Sequence, residues 1–211
     1  MGMTLKARND IHLARRLWHF VGVMFIYFLY WKIPPAQSKI AVVVLGAPLL
    51  LLDILRLYFP ALNKIILFLF KPFMREQEKR RLAAISFMLV GVTFNILFLP
   101  RTVVPLTLLF LAVADPLASF VGINWGKDKL VGNKSLQGSF AAFVACFLLS
   151  LGYFRYMEMM HERMFIVCLL AGLIGAASEL MPVGKLDDNL VFPVMSGILL
   201  TGLFAIFGGL T

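Results

Sequence analysis

Long apolar stretches alternate with short polar clusters along the whole chain, and the stretches match the length of a bilayer crossing, about 17–25 residues each. Each is apolar on every side, so helical periodicity says little and the boundaries come from charges, prolines and aromatics. On that basis helices are expected over 17–33, 39–59, 82–99, 103–120, 138–154, 163–180 and 190–209. The segment from Pro60 to Arg81 differs. There Leu62, Ile65, Ile66, Leu69 and Phe70 are interspersed with Lys and Arg, the pattern of an amphipathic helix resting in the membrane interface. The pattern therefore predicts an all-α fold: one integral membrane domain over residues 1–211, polytopic, with about seven transmembrane helices and one interfacial amphipathic helix. The first stretch begins at Leu17 after a basic segment, but no A-x-A-like cleavage site follows it. Trp31-Lys32-Ile33-Pro34-Pro35 comes instead, so this helix is read as retained.

Composition supports the pattern. Hydrophobic residues make up 61% of the 211 positions and charged residues 15%, with a mean hydropathy of +0.89, too little charge to coat a soluble domain of this size. The net charge of +9 would suit a nucleic-acid binder. Basic residues flanking apolar runs instead report membrane orientation and contact with anionic lipid headgroups, so membrane lipids, not nucleic acid, are the expected partners. Cys146 and Cys168 fall inside apolar runs and read as core residues rather than a disulfide or metal pair.

Orientation follows from the basic residues. With the N-terminus inside, the outward side carries Lys32, Lys39, Arg101, Arg155 and Arg163, and the rest of the 20 Lys and Arg, from Lys6 and Arg8 to Lys185, lie inward. The positive-inside rule then places the basic N-terminus (1–16), a loop over 121–137 and an acidic loop over 181–189 in the cytoplasm, with the C-terminus on the opposite side.

Those inner segments hold every polar cluster that composition leaves unexplained. Asp115 follows the apolar run Val103 to Ala114 and precedes another, which puts a carboxylate at the membrane boundary. Such a group is costly without a cation, water or donor and is a functional candidate; the plain alternative is a helix-capping Asp ahead of Pro116. Glu179 interrupts the end of an apolar run in the same way. Gly122, Gly126, Lys127, Lys134, Ser135, Gly138 and Ser139 form a Gly-, Lys- and Ser-rich stretch that opens a helix. Backbone N–H groups and lysines in such a loop suit phosphate oxygens, although the spacing is not that of a P-loop and a merely basic loop fits equally well. Asp187-Asp188-Asn189 supplies hard oxygen donors of the kind that hold Mg²⁺ with nucleotide phosphates, or a solvated turn that starts the last helix. Arg15, Arg16 and His19 lie within one helical turn, suited to headgroups or phosphates, or serving only as topogenic charge. His12 and His161 read as surface residues, since the sequence around His161 lacks the second His of a zinc motif.

In this order the clusters resemble the CTP-dependent lipid kinase group, comprising dolichol kinase, phytol kinase and yeast-type diacylglycerol kinase, which is related to the phosphatidate cytidylyltransferase family. The likeness runs from Arg15 to about Gly197. Its most specific part is Ala-Asp-Pro-x-Ala-Ser-x-x-Gly at 114–122, then Gly126-Lys127, then Lys-Ser-Leu-x-Gly-Ser at 134–139, supported by Asp187-Asp188-Asn189 ahead of Pro193. The resemblance implies roles for Arg15, Arg16 and His19 in the first motif. It implies roles for Asp115, Ala118, Gly122, Gly126 and Lys127 in the central one, for Lys134, Ser135, Gly138 and Ser139 in the next, and for Glu179, Asp187, Asp188 and Asn189 in the last. Gln137 departs from the pattern, standing where the group usually has Glu. The cytidylyltransferase signature, a Lys-Arg pair leading into His-Gly-Gly and then Asp-Arg, is absent.

The activity so implied is transfer of the γ-phosphoryl group of CTP, the co-substrate, to a membrane lipid alcohol: a polyprenol or dolichol, a phytol-like isoprenoid, or diacylglycerol. Lys127, Lys134 and the loop N–H groups would hold the triphosphate, and Mg²⁺ or another divalent cation would sit on Asp115 with Asp187 or Asp188. Arg15 or Arg16 would take charge developing on the transferred group, and Asp188, Glu179 or His19 would accept the alcohol proton. The alternative within the wider family is an enzyme that makes a CDP-lipid. A small ion-binding transporter or scaffold is the remote reading, because transport sites favour the bilayer midplane and here the polar residues gather at one face.

Overall fold

The computed structural model describes residues 13–184 and 186–210. The expectations for Lys6, Arg8, His12 and Lys185 lie outside the described residues. Helices dominate: α1 (Leu13–Lys32), α2 (Pro35–Tyr58), α3 (Pro60–Leu69), α4 (Ala84–Phe98), α5 (Val104–Leu109), α6 (Asp115–Trp125), α7 (Leu136–Tyr156), α8 (Met164–Leu180) and α9 (Asp188–Phe207). The strands β1 (Lys129–Val131) and β2 (Lys134–Ser135) form one small antiparallel hairpin. A π turn at Phe110–Ala114 joins α5 to α6, so 104–125 is one continuous helix with a widened middle.

The protein is thus the all-α, polytopic membrane type that the sequence implies. Each of the expected apolar stretches is helical, and among the described residues five helices are long and apolar enough to cross a membrane: α2, the continuous 104–125 helix, α7, the His161–Leu180 segment containing α8, and α9. The 20-residue α1 and the 15-residue α4 pack alongside them.

Helix ends follow local chemistry and shift several expected boundaries. Pro35 fits the first turn of α2, so that helix starts before 39. The Ser135 side chain accepts a hydrogen bond from Gly138 N–H (3.2 Å) and starts α7 at Leu136, while Asp187 accepts from Asn189 N–H (3.0 Å) and starts α9 at Asp188. Two expectations need correction. Residues 121–125 are not loop: nothing breaks the helix before Gly126, so α6 runs on to Trp125 and the loop shrinks to the β1–β2 hairpin, whose turn uses Gly132 at φ +56°. Nor is 60–81 a single helix. Pro72 disfavours helical geometry at Lys71, and the chain turns after α3 into a short 3₁₀ segment at Glu76–Lys79.

The core sits on α5 and the π turn, where Val104, Leu106, Leu108, Phe110, Leu111, Ala112 and Ala114 are all fully buried. Small residues let its neighbours approach, as helix pairs in lipid require. A Cβ at Gly91 of α4 would press on the Pro193 ring of α9 (2.7 Å), and one at Gly172 of α8 on the Phe143 ring of α7 (3.0 Å). Cys146 and Cys168 are unpaired and buried in this core, as expected. Asn95, also fully buried, donates to Thr107 Oγ1 (3.2 Å) and to the Pro193 carbonyl (3.0 Å), tying α4 to α5 and α9.

A buried polar clamp holds the 70–83 segment. Arg56 at the end of α2 is 0% exposed and spends its guanidinium on Asp53 Oδ1 (2.5 Å), Asn63 Oδ1 (2.9 Å), Glu78 O (2.9 Å) and Arg81 O (2.8 Å). Asp53 Oδ2 in turn accepts from Ala83 N–H (2.8 Å) and Ser86 Oγ (2.5 Å) at the start of α4. Every bond of this set is local to one end of the helices, and the set fixes where the 70–83 segment lies.

Candidate active site

The sequence-selected polar residues come from six separate elements, α1, α6, β2, α7, α8 and α9, and meet at one end of the bundle. Lys134 of β2 is the hub. Its Nζ donates to Glu179 Oε1 at the end of α8 (2.8 Å) and lies 3.3 Å from Asp188 Oδ2 at the start of α9. Asp115, at the start of α6, is near enough that its charge acts on both Lys134 and Arg16. Burial alone would push the Lys134 ammonium down, but Glu179, Asp188 and Asp115 together outweigh it and hold the pKa above the ordinary lysine value.

Glu179 is almost fully buried and has both oxygens engaged, the second by Ser139 Oγ of α7 (3.3 Å). Ser139 also donates to Ser135 O (3.1 Å). Asp188 is the more open carboxylate of the pair, its side chain 41% exposed against 7% for Glu179. The three-residue acidic motif divides: Asp188 reaches Lys134, whereas Asp187 Oδ1 accepts from both the backbone N–H and the side-chain amide (2.6 Å) of Asn189. Asp187 thereby caps α9, with the Asn189 amide holding its carboxylate in place.

The arginine pair also divides. Arg15 Nη1 donates to Glu78 Oε1 (2.9 Å) and Phe73 O (3.1 Å), tying α1 to the 70–83 segment. Arg16 turns toward Asp115, with its guanidinium over the Phe120 ring (5.2 Å). Its Nη1 is buried and has no hydrogen-bond partner among the described residues, an unspent donor at the site. His19, one turn further along α1, places Nε2 2.9 Å from the Leu111 carbonyl and 3.9 Å from Asp115 Oδ2.

The glycines serve close packing. A Cβ at Gly126 would collide with the Gly122 carbonyl and Ser135 Oγ, one at Gly138 would lie 2.9 Å from Ala118 O, and one at Gly122 3.1 Å from Ser135 Oγ. The end of α6 and the start of α7 meet here. Most of the nearby backbone donors are already spoken for: Gly138 N–H by Ser135, Leu136 N–H by Asp128 O (2.8 Å), and the N–H groups of Lys127 and Asp128 by Gln137 Oε1 (3.1 and 3.4 Å). Gln137 Nε2 donates to Asp128 Oδ2 (2.8 Å), a bond that a Glu at 137 has no proton to make when ionised. Lys127 itself stands exposed on this loop.

Sequence reasoning missed the clamp around Arg56, although Asp53 interrupts an apolar run as Asp115 does and carried the same signal. It also missed the latch made by Gln137, which no spacing rule reveals.

Fold and site together define a polytopic membrane protein with a carboxylate–lysine–arginine cluster at one end of its helices. No family model and no solved structure matches the chain. Curated sequences do. A CTP-dependent diacylglycerol kinase 1 of Schizosaccharomyces pombe is 37% identical over 158 residues, covering 70% of this chain and 72% of the relative. The enzyme of the same name from Eremothecium gossypii is 29% identical across 90% of this chain and 67% of its own length. An uncharacterized protein of Rickettsia prowazekii is 27% identical across 88% of this chain and 91% of its own length. The chain belongs to the CTP-dependent lipid kinase family, as the resemblance in its motifs implied.

Proposed function

We propose that this protein transfers the γ-phosphoryl group of CTP to the free hydroxyl of diacylglycerol at the cytoplasmic face of a membrane. The observation that carries the reading is the convergence of Arg16, Asp115, Lys134, Glu179 and Asp188 in a protein whose relatives are named for that reaction. The printed names of the relatives support diacylglycerol ahead of the polyprenol and phytol-like alcohols that the motifs alone leave open. The excess of basic residues on the site's side supports a cytoplasmic N-terminus and a C-terminus opposite.

Phosphoryl transfer asks the protein for positioning and charge neutralisation. In this reading Lys134 and the exposed Lys127 attract the triphosphate, and the unspent Arg16 donor takes a γ-phosphate oxygen. The lipid hydroxyl oxygen forms a bond to the γ-phosphorus, the bond to the β–γ bridging oxygen breaks, and CDP leaves. The hydroxyl proton passes to Asp188, more open than Glu179 and at the hub. Glu179, with both oxygens bonded, holds Lys134 in place. Arg15 and Asp187 act behind the site, as tether and cap.

A divalent cation fits the donor set in one mode. Among the described residues no three His, Cys, Asp or Glu side chains gather as a metal cage. Asp188, 3.3 Å from Lys134, and Asp115, whose charge also acts on Lys134, match the one or two carboxylates that Mg²⁺ takes when nucleotide phosphates and water complete its shell. Bound there, the ion would neutralise charge on the β- and γ-phosphates.

Purified protein in mixed micelles with diacylglycerol, or in a parallel arm with phosphatidate as acceptor, given CTP labelled at the α or the γ phosphate, tests the reading. The γ label should enter the lipid and the α label should leave as CDP. Entry of the α label, with release of pyrophosphate, would establish a cytidylyltransferase instead. Preference for a polyprenol or phytol in the same assay would replace the substrate.

A further inference from the structure

The widened turn between α5 and α6 has a chemical cause that leads to a role for His19. In the π turn Asp115 N–H donates to Phe110 O, one residue further back than in an α-helix. The regular α partner of Leu111 O is therefore committed elsewhere. Its π partner would be residue 116, and Pro116 has no N–H. Leu111 O is fully inside the protein, where an unbonded carbonyl is costly. His19 Nε2, arriving from α1 at 2.9 Å, supplies the missing donor. A carbonyl oxygen only accepts, so Nε2 carries the proton.

We infer that His19 is a positioning residue: by donating to the Leu111 carbonyl that Asp115-Pro116 leaves open, it fixes the π turn and with it the register at which Asp115 enters the site. This rests on the kinase reading for its functional consequence, but the bond itself does not. With Nε2–H spent on Leu111, that nitrogen has no lone pair to offer the alcohol proton. The same nitrogen, 3.9 Å from Asp115 Oδ2, also limits where that carboxylate can settle. A pull of one residue in a helix turns a side chain by about 100°. Relaxing the π turn to an α-helix would swing Asp115 away from Lys134 and Arg16.

Three variants and one spectrum test the role. His19→Ala removes the donor and should lower kcat about a hundredfold, the scale of a small misplacement of reacting groups, with little change in the KM for CTP. His19→Gln presents an amide N–H at nearly the place of Nε2, so it should recover kcat to within about tenfold of the parent and keep the parent's pH profile. An inactive His19→Gln of parental thermal stability would make His19 a proton carrier and overturn the inference. Pro116→Ala returns an N–H to the helix, so His19→Ala should cost less in that background; strictly additive losses would also overturn it. Independently of turnover, ¹⁵N labelling of the three histidines, with His19→Gln giving the assignment, should show the His19 ring as the Nε2–H tautomer. The Nδ1–H tautomer would sink the proposal even if the kinase activity is demonstrated. The expected tautomer together with an inactive parent enzyme would sink the kinase reading alone.

Discussion

Lys134 Nζ stands 2.8 Å from Glu179 Oε1, a bond between a two-residue strand and a helix end 45 positions further on. It gathers the hairpin, α8 and, through Asp188, α9 into one charged cluster. Lys134→Met should therefore cost stability as well as turnover, since it leaves Glu179 buried without its cation. A loss of about 3 kcal/mol is the scale for one partner of a largely buried pair. The double variant Lys134→Met/Glu179→Gln should unfold at a higher temperature in detergent than the single one. If the single variant matches the parent, the pair contributes nothing to the fold.

The same pair sets an alkaline limit. The Lys134 pKa is raised in the folded protein, so its contribution is complete below the unfolded lysine pKa, about 10.4, and is lost as pH rises through the higher folded value. Thermal unfolding followed from pH 8 upward should show a decline above that point which Lys134→Met lacks.

Arg56 is the main tie of the 70–83 segment. With Asp53 stripped of its cation and its Oδ1 donor, and two backbone carbonyls losing theirs, Arg56→Met should cost about 3–5 kcal/mol. It should also expose 70–83 to limited proteolysis. Unchanged cleavage would mean that the segment is held by other bonds.

The two arginines at the start of α1 should separate in assay. Arg16→Ala should lower kcat about a hundredfold, the scale for removing one preorganised donor, with the unfolding temperature kept. Arg15→Ala should lower the unfolding temperature through the lost bonds to Glu78 and Phe73 while keeping most of the kcat. The reverse outcome would exchange their roles.

Neighbouring acids should separate as well. Asp188→Asn should abolish turnover in a folded protein. Asp187→Ala removes a helix cap worth about 1 kcal/mol and should leave turnover within a few-fold of the parent. Asp115→Asn should behave like Asp188→Asn, and near-normal turnover there would remove Asp115 from the mechanism.

Much of this molecule is written in its sequence, because lipid leaves a chain few options. Backbone groups in a bilayer must bond internally, so apolar stretches of crossing length become helices whatever their neighbours are. The same economy makes Asp115 and Glu179 conspicuous, since a carboxylate at the end of such a stretch needs a reason. Kinship with the CTP-dependent lipid kinases was likewise legible, in motifs that span most of the chain. Which of two adjacent like residues faces the site was not. Arg15 and Arg16, or Asp187 and Asp188, are equivalent in composition, and only the rotation of a helix against its partners sends one inward and the other to a tether or a cap. The π turn was equally hidden: Pro116 announces a missing donor, but only the packing of α1 beside it shows that His19 fills the gap.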